Sequence, residues 1–126
     1  MRRLVSSGSP LEGPIGFSRA CRVGDHIAVA GTAPIEDGET VFAGDLYRQA
    51  RHCLKLAILS IEEAGGKVAD VLRTRMLLTD VSRWEEAARA HGEVFGTIRP
   101  ACTFVEVSGF IGADWMVEVE MDCVVS

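Results

Sequence analysis

The sequence predicts one α+β domain in which two helices cover a single face of a five- or six-stranded mixed sheet. Apolar residues alternate over several short segments, as in strands, and recur at three- and four-residue steps over two longer stretches, as in amphipathic helices. The chain has 126 residues, 48% of them hydrophobic, which suits one packed core. We therefore expect residues 1–126 to form a single domain, with residues 1–15 partly mobile.

The first two strands are predicted as a hairpin. Phe17–Arg22 and His26–Ala30 are short runs separated by Val23-Gly24-Asp25, where Gly24 can adopt the positive φ of a tight turn. Thr40–Phe42 follows a loop of acidic residues and glycine and is a candidate for another short strand.

Two helices are predicted from their apolar stripes and end signals. Asp45 is the expected N-cap of the first helix, which runs to Ala64 and is stopped by Gly65-Gly66. The second helix opens with a capping box, Ser82-x-x-Glu85, and ends near Gly96. The stripes are Leu46, Ala50, Cys53, Leu54, Ala57, Ile58 and Ile61 in the first helix and Trp84, Ala87, Ala88, His91, Val94 and Phe95 in the second.

Asp70–Asp80, Ala101–Val107 and Met116–Val124 are expected to complete the sheet. Alternation places one set of side chains under the helices, and this set includes Leu72, Thr74, Met76, Leu78, Val117, Val119 and Met121. The opposite, open face is expected to carry Arg73, Arg75, Leu77, Cys102, Phe104, Glu118, Glu120 and Asp122. Such a face is too polar for the core of a monomer. We therefore expect copies of the chain to bury it against one another, with ligand sites in shared clefts.

The charge of the chain and the lengths of its apolar runs argue against a nucleic-acid-binding, membrane-spanning or exported protein. The net charge is −5, and no cluster of Lys and Arg is present to contact phosphates, so nucleic acid is not an expected partner. No window of 18 consecutive apolar residues occurs, which argues against a membrane span. The opening MRRLVSSGSP lacks the apolar run of an export signal, so we expect a cytoplasmic protein.

The cysteines and histidines do not follow a metal-binding or redox pattern. No CxxC pair occurs, so zinc ribbons and thioredoxin-like motifs are not supported, and we expect reduced thiols and no metal or cofactor. The residues concerned are Cys21, Cys53, Cys102, Cys123, His26, His52 and His91.

Three ordered motifs carry a family resemblance. They are GFSRACRVGDHIAVAGTAP, EEAGGKVADVLRTRMLLTD and the closing pair RPACTFVEV and VEVEM. From about Gly16 to its end, the chain resembles the Rid family of reactive imine/enamine deaminases, also called YjgF-like or UK114-like proteins. The resemblance implies a chorismate-mutase-like fold, a homotrimer with one cleft per subunit interface, and hydrolysis of a small imine or enamine.

The resemblance also implies which residues line the cleft. Glu118 matches the carboxylate that positions the attacking water, and Phe17 matches a cleft aromatic residue that is usually tyrosine. Gly31 and Phe104 match positions whose backbone faces the ligand. Cys102 stands where the best-characterised branch carries an arginine that grips the substrate carboxylate. A thiol cannot form that bidentate charged pair, so we expect weak activity on iminoacids derived from amino acids.

The residues themselves leave alternatives at three of these positions. Glu118 either orients water or pairs with Arg73 and Arg75 on a neighbouring strand. Arg75 is either the partner of Glu118 or Glu120, or it meets an anionic ligand. Cys102 is either a nucleophile assisted by the charge of Arg75 or a small thiol that fills space.

Two functions from different classes follow. The first is hydrolytic deamination of an imine or enamine metabolite. The second is a non-catalytic trimer that binds a small metabolite or acts as a chaperone. Ribonuclease activity is disfavoured because the chain is acidic.

Overall fold

The computed structural model describes residues 2–126 and confirms a six-stranded mixed sheet with two long helices on one face. The strands follow the order β1-β2-β3-β8-β6-β7, and every neighbouring pair is antiparallel except β6 and β7. The elements are β1 (Arg2–Val5), α1 (Glu12–Ile15), β2 (Ala20–Val23), β3 (His26–Thr32), β4 (Ile35–Glu36), β5 (Glu39–Thr40), α2 (Leu46–Glu63), β6 (Val71–Leu78), α3 (Trp84–Phe95), β7 (Ala101–Glu106) and β8 (Val117–Val124). Strands β4 and β5 form a separate two-stranded ribbon.

The core lies between the sheet and the helices α2 and α3, as the apolar stripes predict. Asp45 caps α2, because its side chain accepts a hydrogen bond from the backbone N–H of Arg48 at 3.0 Å. The helix ends at Glu63, and Gly65, which follows the C-cap Ala64, has a φ of 93° in the left-handed region that glycine tolerates best. The fully buried residues of this layer include Leu46, Ala50, Cys53, Leu54, Ala57, Ile61, Ala87, Phe95, Val117 and Val119.

The structure adds two short elements near the start of the chain that the sequence does not predict. Residues Arg2–Val5 form an edge strand paired antiparallel to β2, and a one-turn helix, α1, follows. The side chains of Arg3 and Arg22 donate hydrogen bonds to the carbonyls of Glu63 and Ala64, which are left free at the end of α2. These acceptors lie far along the chain from both arginines, so no local pattern in the sequence reveals them.

The capping box predicted for the second helix is wrong. A short 3₁₀ turn, Val81–Arg83, precedes α3, and Ser82 lies inside that turn. The carboxylate of Asp80 instead accepts hydrogen bonds from the backbone N–H and the hydroxyl of Ser82, at 3.0 and 2.6 Å. The extra turn moves the helix start to Trp84, so Glu85 is too early in the helix to act as the reciprocal partner.

The predicted side-chain direction is also wrong for Leu72 in β6 and for Cys102 and Phe104 in β7. A register shift between Val71 and Arg73 interrupts the pairing of β6 with β8, and Leu72 is turned out to 58% exposure. In β7, Cys102 and Phe104 lie on the helix face and not on the open face. Their register neighbours on β6 are Thr74 and Met76, which are buried under the helices, and neighbouring residues in register point to the same face.

Helix length also bears on the question of membrane insertion. Within residues 2–126, no helix combines the length and the apolar composition that crossing a bilayer requires.

Candidate functional site

Glu118 lies on the open face of β8, next to an irregularity in β3. Val29 pairs with Met121 and Thr32 pairs with Val119, so two residues of β3, Ala30 and Gly31, lie opposite one residue of β8. This is the arrangement of a β-bulge. A methyl group at Gly31 would overlap the Oε1 atom of Glu118, so the missing side chain makes room for the carboxylate.

The environment of Glu118 disfavours its ionised form. Burial raises the pKa of the Glu118 carboxyl above its ordinary range, and the neighbouring carboxylate of Glu120 raises this pKa further. Among residues 2–126, none of the salt bridges involves Glu118. An unpaired carboxylate with a raised pKa is a stronger proton acceptor than an ordinary glutamate.

The arginines of the open face have other partners. Arg75 Nη1 lies 3.4 Å from Glu120 Oε1 and 3.7 Å from Asp122 Oδ2. Arg73 Nε lies 3.9 Å from Asp122 Oδ2. Among residues 2–126, Arg75 therefore pairs with Glu120, one of its two predicted partners, and not with Glu118. Arg75 also lies on the face opposite to Cys102, so it cannot assist that thiol within one chain.

Cys102 and Phe104 belong to a second group, on the helix face of the edge strand β7. The Phe104 ring contacts the rings of Trp84 and His91 edge-on, with centroid distances of 6.2 and 6.3 Å. The Nε2 atom of His91 lies 2.8 Å from the hydroxyl of Thr74, the register neighbour of Cys102. Burial lowers the pKa of His91, which favours a neutral imidazole. Cys102 itself is exposed, and its neighbours on this face of β7 and β6 include Phe104 and Thr74.

The sequence does not reveal Trp84, His91 and Thr74 as neighbours of this surface. It assigns Trp84 and His91 to the apolar stripe of a helix, which is correct for their spacing. Their contacts with β7 depend on how α3 crosses the sheet. No signal within the sequence carries that information.

Phe17 lies closer to the Glu118 group than to the β7 group. It lies just after Gly16, the C-cap of α1, and is 39% exposed. Two residues later, the carbonyl of Arg19 accepts a hydrogen bond from the N–H of Ala30 at 2.8 Å, which places this segment beside the bulge. Phe17, Gly31 and Glu118 therefore occupy one region of the chain. Cys102 and Phe104 occupy another, beyond β6 and on the opposite face of the sheet.

The described residues offer no arrangement for metal or disulfide chemistry. Among residues 2–126, no group of three or more His, Cys, Asp or Glu side chains is placed to hold a metal ion. All four cysteines are free, and burial raises the pKa of the Cys53 thiol well above its usual range.

Comparison with known proteins identifies the family. The crystal structure of Rv2704 from Mycobacterium tuberculosis, described as a member of the highly conserved YjgF/YER057c/UK114 family, matches with a TM-score of 0.89 and 41% identity, covering 99% of this chain and 100% of that one. The family model described as Endoribonuclease L-PSP matches residues 11–125. The chain belongs to the YjgF/YER057c/UK114 family. The Rid resemblance carried by the sequence motifs is thereby confirmed.

Two further relatives show the range of sequence similarity. An uncharacterized protein of Streptomyces coelicolor is 38% identical over 120 residues, which cover 95% of this chain and 90% of that protein. The 3-aminoacrylate deaminase RutC of Acinetobacter baylyi is 29% identical over 101 residues, 79% of each chain.

The bulge geometry of this YjgF/YER057c/UK114 chain predicts the effect of Gly31→Ala. The backbone at Gly31 does not have a positive φ, so alanine fits the main chain and only the Glu118 carboxylate must move. We expect the variant to fold normally and the carboxylate to shift toward water. An NMR titration should then give a Glu118 pKa closer to the ordinary glutamate value. Gly92→Ala, which adds a methyl group in open space on α3, is the matched control. An unchanged Glu118 pKa in Gly31→Ala would contradict this geometry.

Proposed function

We propose that this chain catalyses the hydrolytic deamination of a reactive imine or enamine, in clefts formed between copies of the chain. The observation that carries the proposal is the unpaired, half-buried Glu118 carboxylate beside Gly31. Family membership supports it, because one relative is named as a 3-aminoacrylate deaminase. An imine carbon is already electrophilic, so a positioned water and a base supply most of what the reaction needs.

The reaction uses Glu118 as the base. The carboxylate accepts a proton from water as the oxygen adds to the C=N carbon, giving a carbinolamine. The same proton is then delivered to nitrogen. As the C–N bond breaks and ammonia leaves, the Glu118 carboxylate takes the hydroxyl proton, and the carbonyl compound is released. An enamine is first protonated at carbon, which gives the same iminium centre. General base catalysis of this kind contributes about 10²–10⁴-fold to the rate.

The two groups of site residues meet only if copies of the chain assemble. Phe17, Gly31 and Glu118 come from the bulged region, whereas Cys102 and Phe104 lie on the other side of the sheet. The open face also carries exposed apolar residues on four strands, namely Leu4, Val23, Val105 and Val124. A homotrimer that buries this face, with β7 of one copy approaching the bulge of the next, completes each cleft.

The proposed substrate lacks a carboxylate on the carbon that bears nitrogen. Cys102 offers a thiol where a carboxylate would need a cation, and Phe104, two residues along on the same face of β7, is aromatic and contacts Trp84. An apolar group next to the imine carbon fits this surface better than a charged one.

A pair of imines that differ only in the carboxylate tests this proposal. One is generated in place from an amino acid by an amino-acid oxidase, and the other from the matching amine by an amine oxidase. We expect the protein to accelerate ammonia release from the second imine and to have little effect on the first. Cys102→Arg should shift the preference toward the carboxylate-bearing imine. Equal acceleration of both imines would contradict the role of Cys102, and acceleration of neither would favour a non-catalytic binding protein.

Activity is expected to fall on the acidic side of the pH profile, at a pH above the ordinary glutamate range. Glu118 must be deprotonated to accept a proton, and its raised pKa moves the loss of the carboxylate form to higher pH. Glu120→Gln removes the neighbouring negative charge and should move this acidic limb to lower pH. A limb that stays in place in Glu120→Gln would show that the group titrating is not Glu118.

A further inference from the structure

A cavity lies away from Glu118, between the segment after β1 and the outer surface of α2. Its volume is about 410 Å³, within the range of about 300–1,000 Å³ that is common for small-molecule sites. Its lining includes Ser6, Ser7, Arg19, Leu56, Leu59 and Glu63. Neither Glu118 nor any other residue of the proposed clefts contributes to it.

Arg19 is the cation of this cavity, and it has no acidic partner within the described chain. Its side chain is half-buried, and no salt bridge or side-chain hydrogen bond of Arg19 occurs among residues 2–126. Burial lowers the pKa of Arg19, and the charge of Glu12 opposes this shift without forming a salt bridge to the guanidinium. Such a group is most readily satisfied by an anion in the cavity.

The nearest carboxylate of α1 is already occupied. The side chain of Glu12 accepts hydrogen bonds from the hydroxyls of Ser6 and Ser7 and from the backbone N–H of Ser7. The Ser7 hydroxyl and the Ser7 backbone N–H are the main causes that lower the pKa of Glu12, which therefore stays ionised without contacting Arg19. Arg19 is therefore left without a salt bridge within residues 2–126 and is available to an anion that enters the cavity.

The remaining lining adds two further features. Glu63, at the exposed rim, is a carboxylate that forms no salt bridge among residues 2–126. Leu56 and Leu59 provide an apolar wall, and Leu59 is 49% exposed. The cavity thus presents one unpaired cation, one unpaired carboxylate and an apolar surface.

We propose that this cavity binds a small zwitterion of the α-amino acid class with an apolar side chain. The ligand carboxylate pairs with Arg19, its ammonium pairs with Glu63, and its side chain packs on Leu56 and Leu59. A doubly charged anion such as phosphate is disfavoured because Glu12 and Glu63 are both close to the cavity.

Isothermal titration calorimetry with L-leucine tests the site without reference to turnover. The comparison ligands are 4-methylpentanoate, which lacks the ammonium, and 3-methylbutylamine, which lacks the carboxylate. We expect leucine to bind, and each comparison ligand to bind about tenfold or more weakly, because each loses one charged pair. Arg19→Met and Glu63→Gln should each weaken leucine binding by a similar factor. Glu63→Gln is at an exposed position, so it remains informative even if Arg19→Met disturbs folding.

Two control variants show whether leucine binds at this cavity or elsewhere on the chain. Lys55→Met removes an exposed cation from α2 outside the cavity and should leave leucine binding unchanged. Glu118→Gln should also leave it unchanged, so the site can be present even if the proposed deaminase activity fails. The proposal is overturned if leucine does not bind, if Arg19→Met and Glu63→Gln bind it normally, or if Glu118→Gln abolishes binding.

Discussion

Glu118→Gln is expected to lower the turnover of the imine substrate about 10²–10⁴-fold while the melting temperature stays close to that of the unchanged protein. Glutamine has nearly the same shape as glutamate, but it cannot accept a proton from water. Because Glu118 forms no salt bridge within the described chain, removing its charge leaves no arginine without a partner. Its raised pKa also means that the ionised form is disfavoured by burial, so losing the charge has little cost in folding.

Val119→Ala is the matched control, because the adjacent residue points to the other face of the same strand. Val119 is fully buried under the helices, and truncation leaves a cavity that costs about 1–3 kcal/mol of the free energy of unfolding. We expect this variant to unfold at a lower temperature and to retain most of its turnover. Thermal unfolding and ammonia release, measured on both variants, give the comparison. A large loss of stability with unchanged turnover in Glu118→Gln would instead assign this residue a structural role.

Mixing two inactive variants is expected to restore activity if each cleft is built from two copies of the chain. Glu118→Gln damages one side of the cleft, and Cys102→Trp blocks the other side with a large ring. In random mixed oligomers, about a quarter of the clefts combine an intact Glu118 from one copy with an intact Cys102 from another. Each variant alone should remain inactive. The measurement is ammonia release after the two variants are unfolded together and refolded, compared with each variant refolded alone.

Assembly itself can be measured in the same samples. Light scattering is expected to give the mass of three chains for the unchanged protein and for both variants. If mixed trimers form and activity is not recovered, Glu118 and Cys102 do not share a cleft. A monomer mass at micromolar concentration would remove the basis for a shared cleft.

Several features of the site can be predicted from the sequence because they depend on residue type and local spacing. The alternation of β8 correctly places Glu118 opposite the buried Val119. Other features require the structure. The alternation within β7 is also predicted correctly. However, nothing in the sequence of that strand shows which of its two sets of alternate side chains faces the helices. The parallel pairing with β6 decides this, and it moves Cys102 and Phe104 to the face opposite Glu118.

The sequence by itself determined the fold class, the apolar stripe of α2 and its cap at Asp45, because period and end signals are local properties of the chain. The tertiary structure alone decided the edge strand β1, the bulge that puts Gly31 against Glu118, and the partners of Arg75. Each of these depends on groups distant in sequence: Arg3 bonds a carbonyl 60 positions away, and Arg75 pairs with Glu120, 45 positions away. Such contacts form only when strands and helices pack, since packing chooses the register that satisfies buried polar groups across the whole sheet.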